Sequence, residues 1–546
     1  MSRLQPLPTL LVLTAAVLLA APPDASAAIT KGPYLQNPGP TGVTVQYETD
    51  APGEGAVRFG TGGAMDGKAT ATLHQTVDYR EDRWSQTVPA KKAYLYRARL
   101  TGLKPATEYQ YQVAPGGAGG PATVTTFRTF PDRAEAVTFI VYGDSRSYPE
   151  RHRAVAINFM KHRPAFILHT GDLVRSGYYY EEWGPQFFEP LAGVAEHVAV
   201  MPAMGNHDGL PEDLVRLFDL PGGRTWYSFD CGPVHVVVLD NEISTPEVLT
   251  WLDADLAASR APWKVAMYHY PTFDLSGYSW DPSPQGFLPV LERHGVDVIA
   301  SGHSHIYERF RPLIRRAGTP HLEPVTLPSG GRVETLEPAG QPVTCLTAGG
   351  GGAFLYETNT SPLLAKAAKT YHYCVFTADA ETLRMETFMP DGEKIDSMAA
   401  TKKAGQYDAA YLAEARPMES AFEAVAATSV APPLVPGVTG AATVPLVLKI
   451  TRPAGAAAAT VTFRLAESCS RDYDMPVTSV EVKAGEAAVL DLHPRTRFGS
   501  PALADDPRAG GYLKVRPALR LAVTVRDRNG ERAVETGDVV YRKPAK

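Results

Sequence analysis

Six residues with metal-binding side chains follow strand-like segments in the middle of the chain. They are Asp144, Asp172, Asn206, His269, His303 and His305. Each alone has an ordinary alternative, because an aspartate after a glycine can end a strand in a turn and a histidine can be a hydrogen-bonded core residue. Together they provide carboxylate, amide and imidazole donors, which suit divalent or trivalent first-row metal ions. Since ligand sites of open α/β folds lie beyond the carboxyl ends of the strands, the six residues predict a metal site there.

Arg146, in the segment "GDSRS", stands two residues after the first of these aspartates. A guanidinium group matches phosphate oxygens with two parallel hydrogen bonds, so Arg146 is a candidate for substrate binding. The alternative is a salt bridge that only neutralises the carboxylates. The glycine-rich segment "AGGGGA", Ala348 to Ala353, lacks the lysine and the serine or threonine of a phosphate-binding P-loop. We expect it instead to be a loop that approaches the metal site closely.

The segment from Ala136 to about Ala300 must position these residues, and in it short buried runs alternate with helix-like stretches. The runs are "AVTFIVYGD", "PAFILHTGD", "HVAVMPAMGNHD", "VHVVVLD", "WKVAMYHYP" and "VDVIASGHSH". Alternation of strands with helices predicts an α/β layer architecture. The segment "STPEVLTWLDADLAAS" predicts a helix that begins with a capping box formed by Ser244 and Glu247. Its apolar residues recur at helical spacing and should face the sheet.

All-β patterns flank the α/β region on both sides. From Lys31 to about Phe130, apolar and polar residues alternate between glycine and proline turns, which predicts a small sandwich. Within it, "TGLKPATEYQYQV" resembles the strand entry of fibronectin type III domains, where a tyrosine anchors the corner. The predicted domains are 31–131, fibronectin-like; 136–400, with the metal site; 401–433, a linker; and 434–546, a second β-sandwich-like domain.

The beginning of the chain and its composition restrict the class of protein. Residues 1–27 combine a short basic start, the apolar run "TLLVLTAAVLLAA" and the small residues "ASA". This pattern predicts a secretory signal peptide cleaved near Ala27, and hence a secreted or periplasmic protein. The run is shorter than the roughly 20 apolar residues of a membrane span, so no span is expected. A formal net charge of -6 over 546 residues gives no indication of nucleic acid or an anionic membrane as a partner.

Four cysteines, Cys231, Cys345, Cys374 and Cys469, belong to a chain that is expected to mature in an oxidising compartment. Four cysteines allow three pairings, and the sequence does not choose among them. Cys345 and Cys374 both end or interrupt strand-like runs, and we predict one disulfide between them. None has the C-x-x-C spacing of a zinc or redox site, so no catalytic role is expected.

The order of the motifs, "GD", "GD", "GNHD", a histidine after a strand and "GHSH", resembles the calcineurin-like metallophosphoesterases from about Ala136 to Ser397. With the fibronectin-like module in front and "HIYER" after the last histidine, the chain is most similar to the purple acid phosphatases and their bacterial relatives. The resemblance implies an α/β metallophosphoesterase fold, with β-sandwich sheets flanked by helices. An N-terminal all-β fibronectin-like sandwich and a C-terminal all-β domain would flank it.

The resemblance also implies two metal ions, of iron, manganese or zinc, and a role for each residue of the motifs. The resemblance implies that Asp172 bridges the two ions. Asn206, His269 and His303 would complete the second metal position, and Asp144 and His305 would belong to the first metal position. His207 would stand near the leaving group as acid or electrostatic stabiliser, oriented by Asp208.

The implied function is an exported, acid phosphatase-like hydrolase that cleaves small phosphomonoesters by attack of a metal-bound hydroxide. A phosphodiesterase or nucleotidase of the same superfamily is the alternative within this class. A rival of another class is a surface binding protein, whose β domains contact glycans or proteins and whose metal site is degenerate. The retained "GNHD" and "GHSH" motifs favour the enzyme.

Two positions depart from the family pattern. Purple acid phosphatases have a tyrosine three residues after the bridging aspartate, whose phenolate binds ferric iron and gives the colour, and Arg175 stands there. Other members of the superfamily have a histidine two residues after the first aspartate, and Arg146 stands there. Water could complete the first position, a tyrosine of 178–180 could reach back to it, or the position could bind its ion weakly. We expect water, and a protein that is not purple.

Overall fold

The computed structural model describes residues 27–542, with gaps at 82–87, 117–122, 133–134, 242, 244, 277–282, 315–340, 419–445, 452–457, 466–472, 484–486, 493, 497–501, 506–511, 517–518, 520, 529 and 536–539. Cys469 and all of the predicted signal peptide except Ala27 lie outside the described residues. Within the described part of the chain, no helix combines the length and the apolar character that crossing a bilayer requires.

Seven strands form the N-terminal β domain. They are β1 (Ile29–Gln36), β2 (Gly42–Thr49), β3 (Gly55–Gly60), β4 (Gly67–Tyr79), β5 (Lys91–Thr101), β6 (Glu108–Ala114) and β7 (Thr125–Arg128). Their hydrogen-bonded order is β1-β2-β5-β4-β3-β6-β7. The long strand β4 pairs first with β3 and then with β5, so it joins the two halves of this order. The hydroxyl of Tyr109, in β6, accepts a hydrogen bond at 3.0 Å from the backbone N–H of Lys104, which precedes the strand. The wider likeness to fibronectin type III stays a prediction.

Two seven-stranded sheets form the central domain. Its strands are β8 (Val137–Tyr142), β9 (Phe166–His169), β10 (Ala199–Pro202), β11 (Tyr227–Cys231), β12 (Val234–Val238), β13 (Trp263–Met267), β14 (Val298–Ser301), β15 (Tyr307–Phe310), β16 (Leu313–Ile314), β17 (Thr344–Ala348), β18 (Leu364–Ala368), β19 (Tyr373–Ala378), β20 (Thr382–Phe388), β21 (Lys394–Lys403), β22 (Gln406–Tyr407) and β23 (Arg416–Pro417). The first sheet has the order β10-β9-β8-β19-β20-β21-β22, and the second has the order β11-β12-β13-β14-β17-β15-β18. The short strands β16 and β23 pair with each other.

Helices connect these strands. They are α1 (Pro149–Ala156), α2 (Pro211–Leu217), α3 (Pro246–Ala258), α4 (Ser283–Arg293) and α5 (Ala409–Ala413), with 3-10 turns at Phe159–His162, Tyr180–Glu182 and Pro221–Gly223 and a π turn at Gly184–Phe188. The helix predicted from its apolar spacing is confirmed as α3. The hydroxyl of Thr245 caps its first turn by accepting the N–H of Val248. Ser244, the predicted cap, lies outside the described residues.

The two sheets share a core, and the helices cover the outer face of the second sheet. Val236 of β12 belongs to the same buried cluster as Phe139 of β8, whereas the next residue, Val237, belongs to a cluster with Leu252 of α3. Successive residues of a strand point to opposite faces of its sheet. The alternation along β12 therefore separates the core between the sheets from the core under the helices, which is the predicted layered arrangement.

Parallel pairing fixes where the loops of the site meet. Strands β8, β9 and β10 are parallel neighbours in the first sheet. Strands β12, β13, β14 and β17 are parallel neighbours in the second sheet. The carboxyl ends of each parallel set lie at one edge of its sheet, so the loops that follow these strands are brought side by side.

Residues 401–418 pack on the central domain, which corrects the first part of the predicted linker. The hydroxyl of Tyr407 donates a hydrogen bond to Asp297, and the Tyr407 ring stacks on Tyr411 at 4.7 Å between centroids. Both tyrosines belong to the buried core cluster of the central domain. Their aromatic area is removed from water here, which a free linker would not allow.

The C-terminal region is all-β where the structure describes it. Its strands are β24 (Leu446–Thr451), β25 (Ala459–Leu465), β26 (Tyr473–Asp474), β27 (Thr478–Val482), β28 (Ala487–Leu492), β29 (Arg495–Thr496), β30 (Ala502–Asp505), β31 (Tyr512–Arg516), β32 (Leu521–Asp527), β33 (Gly530–Glu535) and β34 (Val540–Arg542). A four-stranded antiparallel sheet, β27-β25-β32-β33, is the largest of its described sheets. A sandwich arrangement of these sheets stays a prediction.

The predicted disulfide between Cys345 and Cys374 is wrong. Both cysteines are free and buried, as is Cys231. Cys345 lies in β17 of the second sheet and Cys374 in β19 of the first sheet, so the two residues belong to different layers. The strand-like sequence around each cysteine indicated a buried position, but it did not indicate which of the two sheets each strand would join.

Candidate metal centre

The predicted ligands lie in loops that follow the carboxyl ends of five strands. Asp144 follows β8, Asp172 follows β9, Asn206 follows β10, His269 follows β13, and His303 and His305 follow β14. Three of them, Asp144, Asp172 and His303, have left-handed backbone conformations with φ of 55°, 59° and 66°. Such conformations are uncommon for residues other than glycine and concentrate at functional sites. The contacts described next show that the structure brings all six residues together.

Asn206, His269 and His303 form a tight group of donor atoms with one oxygen of Asp172. Asn206 Oδ1 lies 3.1 Å from both His269 Nε2 and His303 Nδ1. The two imidazole nitrogens are 3.3 Å apart, and His269 Nε2 lies 3.4 Å from Asp172 Oδ1. Donors that surround an ion tetrahedrally at about 2.0–2.1 Å are roughly 3.3–3.4 Å from one another. The donor atoms of this second position are therefore already spaced like a coordination sphere.

Asp144, Asp172 and His305 offer a second group of donor atoms, all within 4.8 Å of one another. His305 Nε2 lies 3.4 Å from Asp144 Oδ1, and Asp144 Oδ2 accepts the backbone N–H of His303 at 2.9 Å. Asp144 Oδ1 is buried and receives no hydrogen bond from the described residues. Burial raises the pKa of Asp144 well above its usual value. A buried carboxylate oxygen without a donor is a suitable partner for a cation.

Backbone carbonyl groups orient two of the imidazole ligands. His269 Nδ1 donates to the carbonyl of Thr170 at 2.8 Å, and His305 Nδ1 donates to the carbonyl of Phe354 at 2.7 Å. A carbonyl only accepts, so Nδ1 carries the proton in each ring and Nε2 faces the site. Tyr356 also stacks on the His305 ring at 4.4 Å between centroids. Sequence reasoning missed these partners because a main-chain carbonyl has no residue-type signal.

Arg146 contacts two of the side chains that would hold an ion at the first position, Asp172 and His305. Its Nε donates to Asp172 Oδ2 at 3.0 Å, and its Nη2 donates to His305 Nε2 at 3.3 Å. The Arg146 side chain is only 14% exposed. Of the two alternatives for Arg146, the structure shows the salt bridge to the carboxylate cluster.

His207 lies beside the second position with one ring nitrogen held. Its backbone N–H donates to Asp172 Oδ1 at 2.9 Å, and its Nδ1 donates to the carbonyl of Arg175 at 2.7 Å. The Nε2 atom lies 3.9 Å from Asp172 Oδ2, and the side chain is 21% exposed. The held nitrogen fixes the tautomer, so Nε2 is the atom that a bound ester could reach.

Asp208 does not orient His207, which corrects the predicted role. Its carboxylate is fully buried and accepts the backbone N–H groups of Gly205, Asp172 and Leu173. These three hydrogen bonds are 2.7–2.8 Å long. A carboxylate that joins two loops through their main chains sets the positions of the ligands in those loops. Asp208 is therefore a positioning residue for Asp172 and the "GNHD" loop.

Glycines allow the close approach that the motifs require. A Cβ atom on Gly205 would lie 2.2 Å from the backbone nitrogen of Asp172, and one on Gly302 would lie 2.4 Å from Asp144 Oδ2. The predicted close-approach loop at 348–353 is confirmed. The N–H of Ala353 in this loop donates to the carbonyl of Asp144 at 2.8 Å. The loop thereby supports the left-handed backbone at Asp144 from behind.

Two family descriptions match the chain. Residues 137–307 match "Calcineurin-like phosphoesterase", and residues 31–129 match "Purple acid Phosphatase, N-terminal domain". The chain combines a calcineurin-like phosphoesterase domain with a purple acid phosphatase N-terminal domain. The family predicted from the motif order is confirmed, and the matched phosphoesterase segment contains all six predicted ligands.

The relatives of this phosphoesterase support the same assignment. Two proteins of Mycobacterium tuberculosis named "Uncharacterized protein" are 26% identical over 360 residues, which is 56% of this chain and 66% of theirs. Acid phosphatase type 7 of Homo sapiens is 26% identical over 320 residues, 51% of this chain and 70% of its own. A purple acid phosphatase isolated from yellow lupin (Lupinus luteus) seeds shares the fold, with a TM-score of 0.55, 20% identity and coverage of 68% of this chain and 74% of its own.

These matches identify a calcineurin-like phosphoesterase domain within the chain. The match spans just under two thirds of the length of the Mycobacterium relatives, 66%. The family uses a dinuclear metal centre. The number of ions that this chain can hold depends on its own donor atoms.

The second position fits a metal ion, and the first does not fit one as its side chains are arranged. Asn206, His269, His303 and Asp172 Oδ1 are spaced for an ion and include the donor types that iron, manganese and zinc accept. At the first position, Arg146 already donates to Asp172 Oδ2 and His305 Nε2.

Arg175, which replaces the family's tyrosine, points away from the first position. Its side chain is 57% exposed and forms an ion pair with Glu182. The hydroxyl of Tyr180, one of the tyrosines that could have reached back, donates instead to Glu48 of the N-terminal domain. Tyr178 is 51% exposed. The structure thus offers no tyrosinate from position 175 or 180.

Proposed function

We propose that this phosphoesterase is an acid phosphatase-like hydrolase that removes the phosphoryl group from small phosphomonoesters in a metal-dependent reaction. The observation that carries the proposal is the group of donor atoms at the second position. Asn206 Oδ1 lies 3.1 Å from two imidazole nitrogens, and one of these lies 3.4 Å from Asp172 Oδ1. The His269 ring carries its proton on Nδ1, toward the carbonyl of Thr170, so His269 Nε2 and Asn206 Oδ1 are two acceptors 3.1 Å apart, and a cation between them would satisfy both.

Metal ions would be held by the family's two sets of residues. Asp172, Asn206, His269 and His303 would hold one ion, and Asp144, His305 and Asp172 would hold a second ion only if Arg146 released Asp172 Oδ2 and His305 Nε2. When bound, such ions polarise a phosphate oxygen and lower the pKa of a water molecule so that it can act as nucleophile. The remaining steps belong to side chains of the chain itself.

His207 would give a proton to the oxygen that leaves. The carbonyl of Arg175 holds Nδ1–H, so a proton on Nε2 is the one available for transfer. As the bond between phosphorus and the ester oxygen breaks, the electron pair goes to that oxygen and the Nε2 proton neutralises it. Before that step, the protonated ring would attract the phosphate, together with the guanidinium of Arg146 beside Asp172.

The proposal is tested by replacing His207 and varying the leaving group. His207→Ala should lower turnover of an alkyl phosphate by roughly the 10²–10⁴ of a lost acid. The loss should be smaller for 4-nitrophenyl phosphate, whose leaving group needs no proton, and metal content should be unchanged. His294→Ala is a matched control, because His294 pairs with Asp253 at the end of α4. An equal loss for both substrates would contradict the proton transfer.

The same assay separates the alternatives of function. Faster hydrolysis of bis(4-nitrophenyl) phosphate than of 4-nitrophenyl phosphate would favour a phosphodiesterase. Absence of hydrolysis from a protein that contains its metal would favour a binding protein with a degenerate site.

We also propose export of the chain, on the sequence pattern of residues 1–27. Expression with this segment should deliver protein outside the cytoplasm that begins near Ala28. Cytoplasmic protein that still begins at Met1 would contradict export.

A further inference from the structure

Arg146 engages the atoms that a first metal ion would need, and the inference drawn from this rests on the proposed function. Its Nε donates to Asp172 Oδ2 at 3.0 Å and its Nη2 donates to His305 Nε2 at 3.3 Å. The two oxygens of Asp172 face opposite neighbours, since Oδ1 accepts the N–H of His207 at 2.9 Å and lies 3.4 Å from His269 Nε2. The guanidinium therefore occupies Asp172 Oδ2, which would face an ion at the first position. It leaves Asp172 Oδ1 available to an ion at the second position.

The contact with His305 excludes a metal ion at the same atom. An arginine N–H can only donate, so Nε2 of His305 is the acceptor of this hydrogen bond. Its Nδ1 is already bound to the carbonyl of Phe354 at 2.7 Å, which places the ring proton there. The ring then has one lone pair, on Nε2, and that lone pair cannot serve Arg146 and a metal ion together.

Two further observations indicate that Arg146 is an integral part of the site. Its side chain is 14% exposed, and its partner Asp172 is 1% exposed, so water does not screen the ion pair strongly. The remaining donor of the first position, Asp144 Oδ1, receives no hydrogen bond from the described residues. One carboxylate oxygen does not hold a transition-metal ion when the two other donors are engaged.

We infer that the guanidinium of Arg146 takes the place of the first metal ion, so that the chain holds one tightly bound ion, at Asp172, Asn206, His269 and His303. Arg146 supplies the second positive charge of the site. A phosphate ester would then meet one metal ion and one guanidinium, whose N–H groups bind phosphate oxygens in a fixed geometry. This differs from the pair of ions that the family uses.

Counting metal ions tests the inference without using activity. The full-length chain, loaded with manganese and passed through a desalting column, should contain one ion per chain by elemental analysis. Arg146→His removes the competing donor and adds an imidazole, so it should contain two. The electron paramagnetic resonance spectrum should change from that of an isolated Mn²⁺ ion to that of a coupled pair. Arg151→His, in the neighbouring helix α1, is a matched control and should keep one ion.

A second variant covers the case in which Arg146→His does not fold. Arg146→Ala frees Asp172 Oδ2 and His305 Nε2 without adding a ligand. It should bind a second Mn²⁺ ion at a concentration at least tenfold lower than the unaltered chain needs. Two tightly held ions in the unaltered chain, or one ion in all variants with no change in the second binding step, would overturn the inference. One ion per chain without any hydrolysis would instead defeat the proposed function and leave the ion count standing.

Discussion

Replacement of Asp208 by asparagine should unfold the loops of the site at lower temperature without changing the proton chemistry. The Asp208 carboxylate accepts the N–H groups of Gly205 and Asp172 at its Oδ2 and those of Leu173 and, at 3.4 Å, Val174 at its Oδ1. An asparagine has only one acceptor oxygen, so its NH₂ group must face two of these N–H groups. Asp208 is fully buried, and water cannot replace the lost acceptor.

The size of the effect follows from these contacts. A hydrogen bond to a charged group contributes about 1.5–3 kcal/mol, and a buried donor left without a partner costs about 1–3 kcal/mol. The asparagine variant should therefore lose roughly 2–4 kcal/mol, because the Leu173 N–H loses a hydrogen bond of 2.7 Å and the Val174 N–H loses a long one of 3.4 Å. For a domain of this size each kcal/mol lowers Tm by about 2–4 °C, which gives a decrease of roughly 4–16 °C.

Differential scanning calorimetry would measure the decrease, and hydrolysis of two phosphate esters would measure the chemistry. Turnover should fall to the same extent for good and poor leaving groups, because displaced ligands affect both. Asp213→Asn is the matched control, since Asp213 accepts one backbone N–H, that of Leu210, and pairs with the partly exposed Arg216, and should lose only about 1 kcal/mol. An Asp208→Asn protein with unchanged Tm and a loss confined to poor leaving groups would refute the positioning role and restore Asp208 as the partner of His207.

Three other predictions concern pH, colour and thiols. Although burial opposes protonation of His235, Asp230 and Asp255 raise its pKa from 6.5 to about 9. The protonated ring therefore contributes at most about 3 kcal/mol of stability below pH 6.5, and this contribution is lost as the pH rises to 9. An unchanged pH dependence of Tm in His235→Gln would contradict this. The iron-loaded chain should lack a strong visible band because Arg175 occupies the tyrosine position; a purple protein would show that Tyr178 or Tyr179 reaches the metal. Without reductant, thiol titration in denaturant should detect at least the three cysteines that are free among the described residues, Cys231, Cys345 and Cys374, and fewer than three thiols would contradict their free state.

The ligands could be predicted from the sequence because they depend on strand ends. Asp144, Asp172 and His303 each follow a short buried run, and parallel strands must bring such positions to one edge. Glycine in front of each ligand is explained by the close packing of the loops, as at Gly302, where a side chain would strike Asp144. Local pattern and topology agree there, so the motif order alone indicated the site.

The salt bridge of Arg146 was one of two alternatives offered by the sequence, but its contact with His305 and the contacts of Asp208 could not be predicted, because they join segments that are far apart in the chain. Arg146 meets His305 across 159 residues, and Asp208 meets the backbone of Asp172 across 36. The left-handed backbone at Asp144 and Asp172 could not be predicted either, because no residue type there demands it. The expectation that Asp208 orients His207 used only their adjacency in sequence, and neighbouring residues in a turn often point to different partners.

Removal and return of metal tests the central claim most directly. The purified chain should be stripped with a chelator, analysed for metal content, and assayed with 4-nitrophenyl phosphate before and after addition of zinc, manganese or iron. The proposal of a metal-dependent phosphomonoesterase predicts that hydrolysis disappears with the metal and returns with it, and that Asp172→Ala neither binds the metal nor regains activity. Full hydrolysis by the metal-free chain, or by Asp172→Ala, would contradict it.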